Sequence, residues 1–309
     1  MNDYIVVLEK LIKDFDGKRA VDNFSLKLNK GEILGLLGPN GAGKTTTIRM
    51  IMNIIAPDSG NVKILGEKFS EKIKDRIGYL PEERGLYRKL KISETLSFFG
   101  ELKGMKKIEI KKKGNELLKK FDLEDYRNKK VEELSKGMAQ KLQFITTIMH
   151  SPEFLILDEP FAGLDPVNIE IVKNIILEKK REGVTIILST HLMEYAEKIV
   201  DSVVMINKGK KVLDGPLSEI KSIYGTKFLK VNYNGNSEFV SSLKYVKDVR
   251  DYGKEMEIEL QDINDKDKLL KDLINKLSVN SFQTTEPSLS NIFIKKLSQT
   301  NEIVEGDNI

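Results

Sequence analysis

The stretch Gly38-Pro39-Asn40-Gly41-Ala42-Gly43-Lys44-Thr45 fits G-x-x-x-x-G-K-[ST], a loop suited to holding phosphate. Its glycines let the backbone curl until successive N–H groups point at one centre. A helix opening directly behind the loop adds its positive N-terminal end. Lys44 brings a point charge for β- and γ-phosphates, and Thr45 offers a hydroxyl to Mg²⁺, a hard cation that prefers oxygen. A dinucleotide loop of the G-x-G-x-x-G type needs a further glycine at position 46, where this chain has Thr46. The second constellation is Phe154-Leu-Ile-Leu-Asp158-Glu159, an apolar run that ends in two carboxylates. At the C-terminal end of a buried strand such groups face the crevice where open α/β sheets bind ligands. Asp158 is suited to hold Mg²⁺, directly or through water, and Glu159 to polarise an attacking water.

These residues need elements to position them. Ile33–Leu37 is continuously apolar, as a strand buried on both faces is; an alternating stretch, Phe24–Leu28, and a turn at Asn29–Gly31 precede it. A helix is expected over Thr45–Asn53, and a short strand over Ile77–Leu80, closed by Pro81. Further strands are expected at Phe154–Leu157, Thr185–Ser189 and Val203–Asn207. Helices at Val167–Arg181, with Gly183 as C-cap, and at Leu192–Ile199 fill the gaps between them. Asn207–Lys210 turns a terminal hairpin. From Ser93, a fitting N-cap, to His150 the pattern is helical: Ile110, Leu117, Leu118 and Phe121, then Met138, Leu142, Ile145 and Met149. The expected fold class is α/β, a P-loop nucleotide-binding domain over residues 1–217 with a helical insert at about 90–150. A small α+β module over 218–298 follows. Its strands are expected at Lys227–Tyr233, Val246–Asp251, Glu255–Leu260 and Ser281–Thr285, and its helices at Asp265–Leu277 and Leu289–Leu297. Residues 299–309 are polar and read as a mobile tail.

Composition narrows the chemistry. The 309 residues suit roughly two domains, and 40% hydrophobic content suffices for a core. No cysteine is present, which removes disulfides, thiolate metal sites and cysteine nucleophiles. His150 and His191 are the only imidazoles, too few for a multi-histidine metal cage. His150 is read as ending a helix, where an imidazolium suits the negative dipole, and is given no function. No apolar run approaches the roughly 18–20 residues of a membrane span, and Met1–Lys10 has no signal-peptide core, so a cytosolic chain is expected. A net charge of +4 does not by itself indicate nucleic acid, and none is expected as a partner.

In this order the motifs resemble the ATP-binding subunits of ABC (ATP-binding cassette) transporters, over about Tyr4–Gly215. Leu134-Ser-Lys-Gly-Met138 resembles the LSGGQ segment, Gly163-Leu-Asp165 the D-loop, and Thr190-His191 the switch histidine. Glu286–Phe293 is similar to the appended C-terminal region of export-type members, among them a sodium-efflux and drug-export group. The resemblance implies ATP and Mg²⁺ as cofactors, and Phe15 stacking on the base. Gly38, Pro39, Asn40, Gly41, Ala42, Gly43, Lys44, Thr45 and Thr46 then wrap the phosphates. It implies Thr45 and Asp158 on the metal, Glu159 activating water, and His191 on the γ-phosphate. Ser135 and Gly137 close over ATP held by a second protomer, so the working unit is a head-to-tail homodimer or pseudo-homodimer of cassettes. An integral-membrane subunit completes the transporter, which sets the chain on the cytoplasmic face of the membrane and makes export the expected direction. Two alternatives stay open: a ribosome- or DNA-associated ATPase of the same family, and a cassette with regulatory binding and little turnover.

Two departures qualify the match. The family's glutamine after the strand at Gly78–Leu80 is here Glu82, which keeps a ligand for Mg²⁺ but adds charge near the γ-phosphate. In the LSGGQ-like segment Lys136 replaces a glycine and Met138 the glutamine; Lys136 is read as facing solvent. The lysine-rich stretch Lys103–Lys130 is read as a solvated face, with nearness to an anionic leaflet as the alternative.

Overall fold

The computed structural model describes residues 4–83, 85–224 and 228–306. Two compact units divide the chain, Met1–Gly215 and Pro216–Ile309. The first opens with two long strands, β1 (Tyr4–Phe15) and β2 (Lys18–Asn29), followed by β3 (Ile33–Leu37) and α1 (Lys44–Ile51). Next come β4 (Ser59–Ile64), α2 (Glu71–Lys74), β5 (Ile77–Leu80), α3 (Ile92–Leu102), α4 (Lys107–Lys120) and α5 (Lys136–Ile148). β6 (Phe154–Asp158), α6 (Pro166–Arg181), β7 (Thr185–Thr190), α7 (Met193–Ala196), β8 (Ser202–Asn207) and β9 (Lys210–Pro216) complete the series.

The main sheet has six strands in the order β5-β6-β7-β3-β8-β9. The first five run parallel. β3, β6 and β7 are buried along their whole length, which is why they read as unbroken apolar runs. A parallel sheet requires crossovers, and these put the carboxyl ends of β5, β6, β7 and β3 side by side. A second, antiparallel sheet has the order β2-β1-β4. Leu8, Leu11, Phe24 and Leu28 from it share one apolar core with Ile48 and Ile51 of α1 and Phe154 and Ile156 of β6.

Two strands of that second sheet escape the alternation rule. β1 slips register against β2 between Leu8 and Leu11, and Lys10 adopts a left-handed φ of 49°, so the period of two is lost. β4 is mostly exposed and offers little apolar pattern.

In the helical insert, α3 starts at Ile92, with Lys91 rather than Ser93 in the N-cap place. The Glu94 carboxylate accepts the Lys91 N–H at 2.8 Å, while the Ser93 N–H donates to the Arg127 carbonyl at 3.1 Å. Lys103 departs from the expected solvated face: its ammonium donates to the carbonyls of Lys74 and Ile77, and burial lowers its pKa. The helix expected at Leu192–Ile199 is only Met193–Ala196, because the chain then bends through a bond from the Ile199 N–H to the Ala196 carbonyl, 2.9 Å.

The second unit holds α8 (Leu217–Tyr224), β10 (Phe228–Asn234), β11 (Val246–Asp251), β12 (Glu255–Leu260), α9 (Lys266–Ile274), β13 (Ser278–Thr285) and α10 (Leu289–Gly306). Its strands form an antiparallel sheet in the order β11-β12-β10-β13. Leu229, Val231 and Tyr233 alternate along β10 and pack with Met256, Ile258, Leu269 and Leu273 into a core of their own. Glu259 accepts from Lys247 at 3.0 Å and from Lys295 at 2.7 Å. Lys227, where a strand was expected to start, and residues 307–309 lie outside the described residues. α10 runs to Gly306, past the point at 299 where the sequence suggests a tail, since neither glycine nor proline interrupts residues 289–305.

Candidate functional site

Four neighbouring strands deliver the candidate residues to one end of the main sheet. Lys44 follows β3, Glu82 follows β5, Glu159 follows β6, and Thr190 and His191 end β7. Asn40, Gly41, Gly43, Lys44, Thr45, Thr46, Glu82 and Glu159, with Ala20 from β2, line one groove of about 300 Å³.

Backbone geometry explains the loop's composition. Gly43 caps α1 at a φ of 110°, and a Cβ there would lie 2.5 Å from the Ala20 carbonyl oxygen. A Cβ at Gly38 would collide with the carbonyl of Ile206 on β8. Pro39 accepts the Ala42 N–H at 3.2 Å, which closes the loop, and Ala42 itself is buried beneath it. Lys44 is 5% exposed; its Nζ donates to the carbonyls of Gly38 (2.9 Å) and Pro39 (3.2 Å) and stands 3.6 Å from Glu159 Oε1. The loop thus fixes the ammonium in its own concavity before any anion arrives.

Glu159 sits just past β6 with a left-handed φ of 50°, a strained conformation for a side-chain-bearing residue. Its N–H donates to the Ser189 carbonyl at 2.8 Å. Its Oε1 accepts the His191 N–H at 3.0 Å and faces His191 Nδ1 at 2.9 Å; its Oε2 accepts the Thr190 hydroxyl at 2.9 Å. A threonine hydroxyl, the loop lysine and the histidine therefore converge on one buried carboxylate, the base candidate.

Asp158 is fully buried, and neither carboxylate oxygen makes a hydrogen bond of ordinary geometry. Burial is the chief cause that raises its pKa; the neighbouring Ser189 and Thr45 hydroxyls oppose it, and the charges of Glu82 and Glu159 add to it. An all-oxygen group that resists its own charge and lacks partners is suited to a hard divalent cation. The donor set Asp158, Thr45 and Glu82 fits Mg²⁺ on these grounds.

Other expected site residues lie apart from the groove lining. Phe15 is 45% exposed at the tip of the β1–β2 hairpin, with the Lys13 ammonium 5.4 Å from its ring centre. Ser135 is the N-cap of α5 and accepts the Met138 N–H at 3.2 Å. A Cβ on Gly137 would lie 3.8 Å from the Gly163 carbonyl, so the LSGGQ-like and D-loop-like segments adjoin. Lys136 is exposed.

His150 contradicts its expected charge. Its Nε2–H donates to the Ile77 carbonyl at 3.2 Å, and burial, then the charge of Lys103, push its pKa down to about 4. Desolvation outweighs the helix-end dipole here. Thr190 is the functional candidate that motif reading passed over in favour of its neighbour His191; a hydroxyl at the end of a buried strand was its one visible signal. Ala20 gave none.

A family model described as "ABC transporter" matches residues 21–162, and one described as "ATP-binding protein DrrA1-3-like, C-terminal domain" matches 215–297. The chain is 40% identical over 301 residues to the uncharacterized ABC transporter ATP-binding protein YhaQ of Bacillus subtilis, covering 96% of this chain and 100% of that one. It is 33% identical over 300 residues to the bacitracin transport ATP-binding protein BcrA of Bacillus licheniformis, covering 94% and 96%. A solved structure of the ATP-binding subunit of an ABC transporter superposes with a TM-score of 0.67 at 30% identity, covering 71% of this chain and 93% of that one.

Proposed function

The chain belongs to the ABC transporter family as an ATP-binding subunit that hydrolyses ATP, and from that premise we propose that the groove at the carboxyl ends of β3, β5 and β6 is where it does so. Backbone N–H groups of Gly41 and of Gly43 to Thr46, with the Lys44 ammonium, hold the phosphates, and the N-terminal end of α1 faces them. When bound, Mg²⁺ neutralises charge on the β- and γ-phosphates, and Thr45, Asp158 and Glu82 are the residues that hold it. Glu159 accepts a proton from the attacking water. His191 donates toward the γ-phosphate, and Phe15 stacks on the base from its exposed place on the hairpin. ATP draws Lys44 off Glu159, which frees the carboxylate for water. The convergence of Lys44, His191 and Glu159 within 3.6 Å supports this reading most directly.

Ser135 and Gly137 serve the nucleotide of a second protomer in a head-to-tail dimer, in keeping with their place outside the groove lining of their own chain. Closure and reopening of that dimer drive a separate membrane subunit on the cytoplasmic face, in the direction of export. Among the described residues no helix is long and apolar enough to cross a membrane.

The test is ATP hydrolysis by wild type beside Glu159→Gln, with size-exclusion runs in ATP and Mg²⁺. The expected variant is inactive and elutes as an ATP-dependent dimer. Wild-type turnover by Glu159→Gln would remove Glu159 from the role of base, and a monomer under all conditions would count against the two-protomer site.

A further inference from the structure

We infer that Thr190 is a positioning residue for Glu159, fixing through its hydroxyl which carboxylate oxygen is left to meet water. This rests on the reading of Glu159 as the base. Thr190 is wholly buried at the end of β7, opposite Leu37 of β3, so its backbone cannot shift without disturbing the strand that leads into the phosphate loop. Its Oγ1 accepts the Leu192 N–H at 3.0 Å and donates to Glu159 Oε2 at 2.9 Å. A hydroxyl has one proton, and the backbone N–H it accepts cannot reverse. A carboxylate oxygen only accepts, so the hydroxyl gives its one proton to Glu159 Oε2 while a lone pair on the same oxygen takes the Leu192 N–H.

The donors around the carboxylate are not equivalent. Lys44 at 3.6 Å and the His191 ring, 42% exposed, are the groups that a phosphate competes for. The contacts that persist are the His191 N–H on Oε1 and Thr190 on Oε2. Among the described residues Thr190 is the one hydrogen-bond donor to Oε2. Glu159 is 3% exposed, so without that hydroxyl Oε2 is enclosed with no partner. The carboxylate then turns to pair its oxygens elsewhere, and a base displaced by a fraction of an ångström loses its alignment with water. Accepting the Leu192 N–H leaves the buried hydroxyl's own proton to place, and Glu159 Oε2 is the acceptor it meets.

The test uses the full chain as wild type, Thr190→Val, Thr190→Ser and Glu159→Gln. It measures kcat and KM for ATP with Mg²⁺, and the affinity for a fluorescent ATP analogue. Thr190→Val keeps the side-chain volume and is expected to lower kcat about 10- to 100-fold, with KM and nucleotide affinity within about twofold of wild type. Thr190→Ser keeps the hydroxyl and is expected to stay within about threefold of wild type. The inference is overturned if Thr190→Val turns over like wild type while Glu159→Gln is inactive. It is equally overturned if Thr190→Ser is as impaired as Thr190→Val, or if Thr190→Val loses nucleotide binding in parallel with kcat. If Glu159→Gln itself turns over normally, the reading of the base fails and the positioning role goes with it.

Discussion

His150 and His191, the two imidazoles of this chain, occupy opposite surroundings. His191 meets a carboxylate and solvent, whereas His150 is enclosed beside Lys103 and Lys113, with the Ile77 carbonyl and Asp75 as the partners that favour its charge. With a pKa of about 4 against about 6.5 in an unfolded chain, His150 is neutral in both states well above pH 6.5 and adds no pH dependence there. As pH falls below that value the unfolded chain takes up the proton first, so stability declines until about pH 4. The loss attributable to this one residue is about 2 kcal/mol by pH 5 and about 3 kcal/mol by pH 4. Glutamine keeps a donor for the Ile77 carbonyl without the titration. Urea unfolding at pH 7 and pH 5 should therefore show a smaller loss for His150→Gln than for wild type. Equal losses would mean that other groups carry the acid sensitivity.

Between residue and fold stands the contact of β5 with α5. Gly78 lies where a Cβ would be 2.5 Å from the Thr147 carbonyl oxygen and 2.6 Å from Leu155 Cδ2. Backbone cannot yield as a side-chain tip can, so Gly78→Ala has to push the helix off the strand. The expected cost is about 1–3 kcal/mol, read as a lower urea midpoint with an unchanged slope. The same helix reaches the groove: Gln143 donates to the carbonyls of Pro81 (3.4 Å) and Glu83 (3.2 Å), on either side of Glu82. A midpoint unchanged by Gly78→Ala would show that α5 moves freely against the sheet, and that Glu82 is not held in this way.

Across the molecule, the first unit has two sheets and the second has one, and each unit has its own buried apolar cluster. In the second unit Leu229, Val231, Met256, Ile258, Leu269 and Leu273 are all fully enclosed. Residues 216–309 expressed alone are therefore expected to unfold cooperatively, with the circular dichroism of a mixed α/β protein. A broad, non-cooperative melt would show that this unit depends on the first. The first unit makes its site from segments far apart in sequence, and the sheet order does the assembling. Because β5, β6, β7 and β3 are consecutive neighbours, residues as distant as Lys44 and His191 meet at one edge.

The phosphate loop, the strand ending in Asp158-Glu159 and the buried strands around them were legible in the residues alone. Each is a contiguous segment, so its conformation follows from local sterics and from burial on both faces. The sequence also carried the family resemblance, because those segments keep a fixed order along the chain. Which donors reach Glu159 depends on the folded arrangement, since Thr190 and Lys44 come to it through strand adjacency, which no local pattern encodes. The fold likewise decided that His150 is neutral, because desolvation depends on what packs around a side chain rather than on its position at a helix end. β1 and β4 stayed hidden for a related reason: a register slip in one and an exposed face in the other erase the alternation that marks a strand.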